Sequence, residues 1–173
     1  MDTRDTPTNV SLLKPTAFRF TLQSAPNLNF FTQRVRIPGL NLGAATQRTP
    51  FVNIPKPGDK IQFELMNITF LQDEDMAAWS EIYNWIMSLG RAKGFASYAD
   101  LVAFGNSILG TGVTTTANLL VLTGAGNPNK EFTFYDVWPT SLSGIDMEVT
   151  DTESMPITSD AGFAFSYYDV RSI

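Results

Sequence analysis

Phe18, Phe20 and Leu22 alternate with Arg19, Thr21 and Gln23, the two-residue period of a strand with one buried face. A second alternation sets Phe31, Gln33, Val35 and Ile37 against Thr32, Arg34 and Arg36 and stops at Pro38-Gly39. Joined through Ser24-Ala25-Pro26-Asn27, the two segments read as a hairpin. Farther on, Ile61, Phe63 and Leu65 take odd positions and Met66, Ile68 and Phe70 even ones. A strand over 61–70 therefore switches face at Leu65-Met66, and a β-bulge is the simplest cause. Met76, Trp79, Ile82, Tyr83, Ile86 and Leu89 recur every three or four residues, which predicts an amphipathic helix over about 73–89. Asp73-Glu74-Asp75 would open it, their charge suiting the positive end of the helix dipole, and Gly90 would close it.

Residues 98–104 fit a short second helix, and 105–116, rich in Gly, Thr and Ser, read as a mobile surface loop. Strand patterns return at 119–122 and, after a Gly126-Asn127-Pro128-Asn129 turn, at 131–137. Ile145, Met147 and Val149 then alternate with Asp146, Glu148 and Thr150, and Phe163, Phe165 and Tyr167 form a last strand. Strands, one principal helix, then strands again lack the βαβ repeat of a parallel sheet. The pattern predicts a mainly β, α+β domain: an antiparallel barrel or sandwich with the helix on its flank.

Residues 1–16 are polar and punctuated by proline, and read as an arm that stays flexible unless a neighbour orders it. The single domain then spans 17–173, with a mobile insertion at 91–118. Between 39 and 60 the chain carries too much Pro and Gly for a core strand and reads as a long loop. Phe51, Val52 and Ile54 in that loop argue that it packs against something, its own sheet or another copy.

Composition narrows the chemistry. The 173 residues include no cysteine and no histidine. Disulfides, thiolate nucleophiles, Cys/His zinc sites and Ser-His-Asp triads cannot be built. Residues 1–10 have no apolar signal-like core and no run of about 18 apolar residues occurs, so neither secretion nor membrane insertion is expected. The net charge of −5 is divided unevenly. Residues 1–60 hold eight Lys/Arg and three Asp/Glu; residues 61–173 hold four and fourteen. Such polarity fits either a mixed surface or a subunit whose basic and acidic faces meet in neighbouring copies.

No catalytic, cofactor-binding or metal residue stands out. Asp73-Glu74-Asp75 is explained by the helix start without a cation. The stretch from Gly124 to Lys130 has Asn129 and Glu131 where a phosphate loop needs Gly and Ser/Thr, so it reads as a turn. Gly110-Thr111-Gly112 lacks the third glycine of a dinucleotide fingerprint. Phe30, Phe31, Tyr167 and Tyr168 could stack bases, but most aromatics sit at inward positions and the acidic second half would repel phosphates. Asp146, Glu148, Asp151 and Glu153, on a strand face and the turn after it, are either solvated or an acidic wall past which nucleic acid slides without sticking.

The order of these elements resembles the tail tube proteins of T4-like contractile-tailed phages. The resemblance rests on Arg36-Ile37-Pro38-Gly39 closing the second strand pattern, the Pro-containing stretch after it, and the helix with Trp79 and Trp85. Its most specific part is the C-terminal block: a strand into Val137-Trp138-Pro139-Thr140-Ser141, an acidic segment, and a final aromatic strand ending Phe165-Ser166-Tyr167-Tyr168. The resemblance implies a small barrel or sandwich shared with the type VI secretion tube protein. It implies hexameric rings of this chain, stacked into a hollow conduit inside a contractile sheath, with no cofactor and no enzymatic activity. The implied partners are other copies, the sheath, the baseplate or tube initiator and the tail terminator, with a tape-measure protein and DNA passing through the lumen. The place would be the virion tail, assembled in the host cytoplasm. Residues 39–60 match the family's long loop toward adjacent subunits, so Arg48, Phe51, Val52, Ile54, Lys56 and Lys60 become the expected inter-subunit arm, and Asp146, Glu148, Asp151 and Glu153 the expected lumen-facing carboxylates. The length of 91–118 departs from a minimal tube subunit and keeps a tube initiator or tail-end completion protein as the alternative. An oligonucleotide-binding module and a hydrolase using carboxylates alone are the rivals outside this class.

Overall fold

A computed structural model describes residues 11–91, 94–108, 113–149 and 156–173. Their backbone forms β1 (Phe18–Leu22), α1 (Pro26–Phe31), β2 (Thr32–Val35), β3 (Leu40–Arg48), β4 (Asn53–Phe63), β5 (Met66–Leu71), α2 (Ala77–Leu89), α3 (Phe95–Ile108), β6 (Thr115–Leu122), β7 (Pro128–Leu142), β8 (Thr158–Ala164) and β9 (Tyr167–Ser172). The expected antiparallel, β-rich α+β class is what the chain adopts. Seven strands make one curved sheet in the order β1-β6-β7-β8-β5-β2, with β9 also on β7. The sheet does not close into a barrel: β1 and β2 are its two ends.

The curvature comes from β7. Its first half pairs with β6 on one side and with β9 on the other, from Lys130↔Ser172 to Tyr135↔Tyr167. Its second half, from Trp138↔Ala164 to Leu142↔Ala161, pairs with β8. Between the halves Asp136 takes φ 55°, a left-handed conformation that Asp tolerates better than most residues and that turns the strand across the core. Pro139 lies beyond the bend, where β7 has left β6, so its missing N–H interrupts no second ladder. Opposite the bend, Phe165 and Ser166 divide β8 from β9, and the Ser166 N–H donates to the Tyr135 carbonyl at 3.0 Å. The single aromatic strand expected over 163–167 is thus two strands.

The concave side is filled by Leu22, Ile68, Phe70, Phe134, Val137 and Phe163, all fully buried, with α2 laid over them. Helix α2 begins at Ala77, four residues later than expected, because Met76 adopts a left-handed φ of 51°. Its first turn holds no acidic residue; Asp73 instead accepts a hydrogen bond from the Ala77 N–H at 2.9 Å. Of the expected stripe Ile82 is buried and Trp79, Ile86 and Leu89 pack partly buried against the core, Ala78 and Trp85 join them, and Tyr83 stacks on Trp79. Both tryptophans fasten the helix with their indole N–H, Trp79 to the Ser143 carbonyl at 3.2 Å and Trp85 to the Val113 carbonyl at 3.3 Å.

Other expectations are corrected. The segments 18–22 and 32–35 are not a hairpin: α1 intervenes, β1 pairs with β6 and β2 with β5. The strand over 61–70 is two strands in different sheets, so its change of face marks the chain leaving one sheet for another and not a bulge. Residues 143–148 are not in a strand despite their alternation. Helix α3 is longer than the 98–104 expected and extends over part of the supposed loop 105–116, whose end belongs to β6; residues 109–112 lie outside the described residues.

Glu81 on α2 sits against the start of α1, where its Oε1 accepts from Asn27 Nδ2 at 2.8 Å. Burial raises its carboxyl above the usual carboxylate range, more than the hydrogen bonds from Asn27 and Leu28 lower it. A carboxyl whose folded pKa is raised binds its proton more tightly in the folded chain, so stability falls as pH rises from the ordinary value through the raised one. Glu81→Gln, which keeps an acceptor for Asn27, should therefore be more stable than the native chain at neutral pH. The difference should disappear below the ordinary carboxylate pKa in urea titrations at stepped pH. Phe134→Ala, which empties a fully buried ring site beside Phe165 and Tyr168, should lower the unfolding free energy by about 3–5 kcal/mol in the same assay.

Candidate assembly surfaces

Residues 39–60 form no loop. They lie in a two-stranded hairpin, β3 with β4, held apart from the main sheet. The register runs from Leu40↔Phe63 to Arg48↔Asn53, with an irregularity between Leu42 and Ala44. Pro55 and Pro57 are tolerated because β4 pairs on one side only. At the irregularity, Gly58 packs directly on the Gly43 carbonyl; a Cβ there would collide with that backbone oxygen. All nine residues of β3 are exposed. The tip is closed by Thr49, whose Oγ1 both donates to the Val52 carbonyl and accepts from the Val52 N–H.

The base of the hairpin is fixed to the body. Phe63 packs on Phe165 and Tyr168 with ring centroids 5.5 and 5.7 Å apart, and Tyr168 also meets Phe132, Phe134 and Phe165. Arg36 and Glu64 form an exposed ion pair of 3.1 Å beside it, worth at most about 1 kcal/mol. The Glu64 N–H donates to the Gly39 carbonyl at 3.1 Å. The hairpin is therefore an aimed projection, roughly 30 Å long at about 3.3 Å per residue.

The structure brings the six expected arm residues together on this projection. Phe51 at the tip is 97% exposed, and Val52 and Ile54 beside it are exposed as well. Arg48 faces Asn53 across the ladder, while Lys56 and Ile54 share the opposite face. Neither Arg48, Lys56 nor Lys60 forms an ion pair with another described residue. Sequence reading missed the hairpin because its prolines outweighed the alternation in Leu40-Asn41-Leu42 and Ile61-Gln62-Phe63, which are the paired segments at its root.

The four expected lumen carboxylates are not brought together on a strand. Asp146 and Glu148 lie exposed in the irregular segment after β7, and Asp151 and Glu153 fall outside the described residues. Among the described residues no group of acidic side chains is arranged to hold a metal ion, and no helix is long and apolar enough to cross a membrane.

Unpaired sheet edges add a second kind of surface. Among the described residues, the outer sides of β1, β2 and β9 carry no strand partner. Asn29 covers one point of the β1 edge with its side-chain amide, accepting from the Leu22 N–H at 2.6 Å and donating to the Leu22 carbonyl at 3.1 Å.

An open antiparallel sheet with free edges and an aimed apolar hairpin define a structural subunit built to associate. The chain matches the family of phage tail tube proteins over residues 6–171, and it belongs to that family. It is a structural protein of the phage tail.

Solved structures share its fold. A chain in the cryo-EM structure of the anti-feeding prophage tube-terminating cap superposes with a TM-score of 0.59 at 14% identity, covering 99% of each chain. A chain of the anti-feeding prophage baseplate gives 0.56 at 10% identity, over 89% of this chain and 90% of that one. A chain of the sheath–tube complex of an extracellular contractile injection system, PVC, gives 0.55 at 14% identity, over 94% and 93%. No curated protein sequence matches this one.

Because the hairpin lies outside the core, its distortion separates folding from assembly. Gly58→Ala should shift the urea unfolding free energy by no more than about 0.5 kcal/mol. It should nonetheless reduce assembly, read by light scattering at matched concentrations.

Proposed function

We propose that this chain forms hexameric rings that stack into the hollow tube of a contractile phage tail, a conduit through which DNA leaves the virion. The observation that carries the reading is the exposed apolar hairpin on a sheet left open at its edges, in a member of the tail tube family. Edge strands of neighbouring copies would join into a continuous inner sheet, which removes the unpaired backbone groups of each copy. The anti-feeding prophage baseplate, whose fold this chain shares, was resolved with 6-fold symmetry, which supports rings of that order. The sheath would lie outside, a baseplate or tube initiator at one end and a terminator at the other, and a tape-measure protein and DNA would cross the lumen without tight binding. Assembly would take place in the host cytoplasm and the product would be the virion tail. The reading requires no cofactor and no catalytic step.

The joined inner strands would supply most of the lumen lining, and the exposed carboxylates of Asp146 and Glu148, with Asp151 and Glu153 after them in sequence, remain the proposed acidic contribution to it. A tail-end completion protein is the second reading, favoured by the full-length match in fold to a tube-terminating cap.

Negative-stain electron microscopy with light scattering across a concentration series separates the two. Hollow tubes of stacked rings are expected from a main tube subunit. Rings that never elongate would move the assignment to an end or junction protein. A monomer that fails to assemble with its own tail partners would sink both.

A further inference from the structure

Among the described residues the apolar tip of the hairpin lacks a seat on its own subunit, and three largely apolar clefts on the described surface are of a size to take it. The cleft between β1 and β2, about 260 Å³, is rimmed by Lys14 and Arg34, the same sign of charge as the arm. The cleft between α2 and α3, about 520 Å³, carries Glu81 and Asp100. Its Trp85 wall is already buried, however, and Glu81 is engaged by Asn27.

The third cleft, about 300 Å³, lies between the end of β5, the start of α2 and the segments on either side of residues 150–155. Met76, Ile145, Met147 and Ile157 make it apolar, with Asp73 and Glu74 on its rim. Met147 is 75% exposed, so apolar surface is left uncovered here as it is on the hairpin tip. Asp75, Asp146 and Glu148 follow in the same two segments, so the surround is strongly acidic.

The geometry points to this cleft as the acceptor for the hairpin tip of a second copy of the chain. Phe51 seats against Met147 and Ile157, and Lys56, on the Ile54 face of the hairpin, meets the carboxylates of Asp73 and Glu74. Apolar cover and charge of opposite sign meet in this one cleft. Tip and cleft are different surfaces of the molecule, so the contact is head-to-tail and repeats from copy to copy. The inference rests on the self-assembling tube reading and adds the residues that would receive the arm.

The absence of native cysteine allows a direct test. Full-length Phe51→Cys is mixed with full-length Met147→Cys, assembled, and treated with a short thiol-to-thiol cross-linker. The expected product is a covalent dimer of one chain of each kind, at a yield about tenfold or more above that from Phe51→Cys mixed with Leu101→Cys, because docking raises the local thiol concentration. Should Phe51→Cys itself prevent assembly, Val52→Cys takes its place at the tip. Normal rings or tubes without that covalent dimer overturn the acceptor assignment and leave the tube reading standing. Failure of the native chain to assemble removes both.

Discussion

Strand β7 has to satisfy its backbone in two directions. Its first half is a central strand between β6 and β9; its second half leaves β6 and continues against β8 alone. The rotation between the halves is absorbed at Asp136, whose left-handed backbone lets one strand cross from one wall of the core to the other. The other features depend on that crossing. It brings Phe134 and Phe165 within 5.2 Å of each other, sets Tyr168 over both, and so creates the aromatic floor on which Phe63 anchors the hairpin. It also leaves the sheet open, because a strand shared by two walls does not bring β1 and β2 together.

The open sheet and the hairpin are two parts of one arrangement. A lone subunit keeps unpaired backbone along β1, β2 and β9 and an apolar tip in water, both of which are liabilities unless another chain covers them. In the proposed tube, neighbouring copies would cover these edges and the tip. The division of charge along the chain has the same logic. Arg48, Lys56 and Lys60 lie on the hairpin and acidic residues around the start of α2 and the segment after β7, an arrangement that in the proposed assembly would let unlike regions of neighbouring copies attract.

The helical layer is attached by polar means as much as by packing. Trp79 and Trp85 bury their rings against the sheet while their N–H groups reach the carbonyls of Ser143 and Val113, one after β7 and one before β6. Each indole thereby joins apolar area to a fixed direction, which sets the rotation of α2 about its axis more tightly than a leucine stripe would. That rotation stacks Tyr83 on Trp79 and buries Ala78, Ile82 and Trp85.

Much of this was legible in the sequence, and for local reasons. Alternation located β1 and β5, the apolar run Leu119-Leu120-Val121-Leu122 located part of β6, three- and four-residue spacing located α2, and the absence of cysteine and histidine removed whole classes of chemistry. The order of elements, with the Trp138-Pro139-Thr140 block, was sufficient to point to the tail tube family. Periodicity reports which face of a segment is apolar, however, and not what covers it. The alternation at 145–149 therefore looked like a strand although no described strand pairs with it, and the proline-rich run at 39–60 hid a ladder that exists because β3 and β4 have only each other. Whether β1 and β2 pair with each other or, as they do, with β6 and β5 is likewise decided by long-range backbone pairing. Pairing of that kind is a property of which edges meet in three dimensions, and only the tertiary structure contains it.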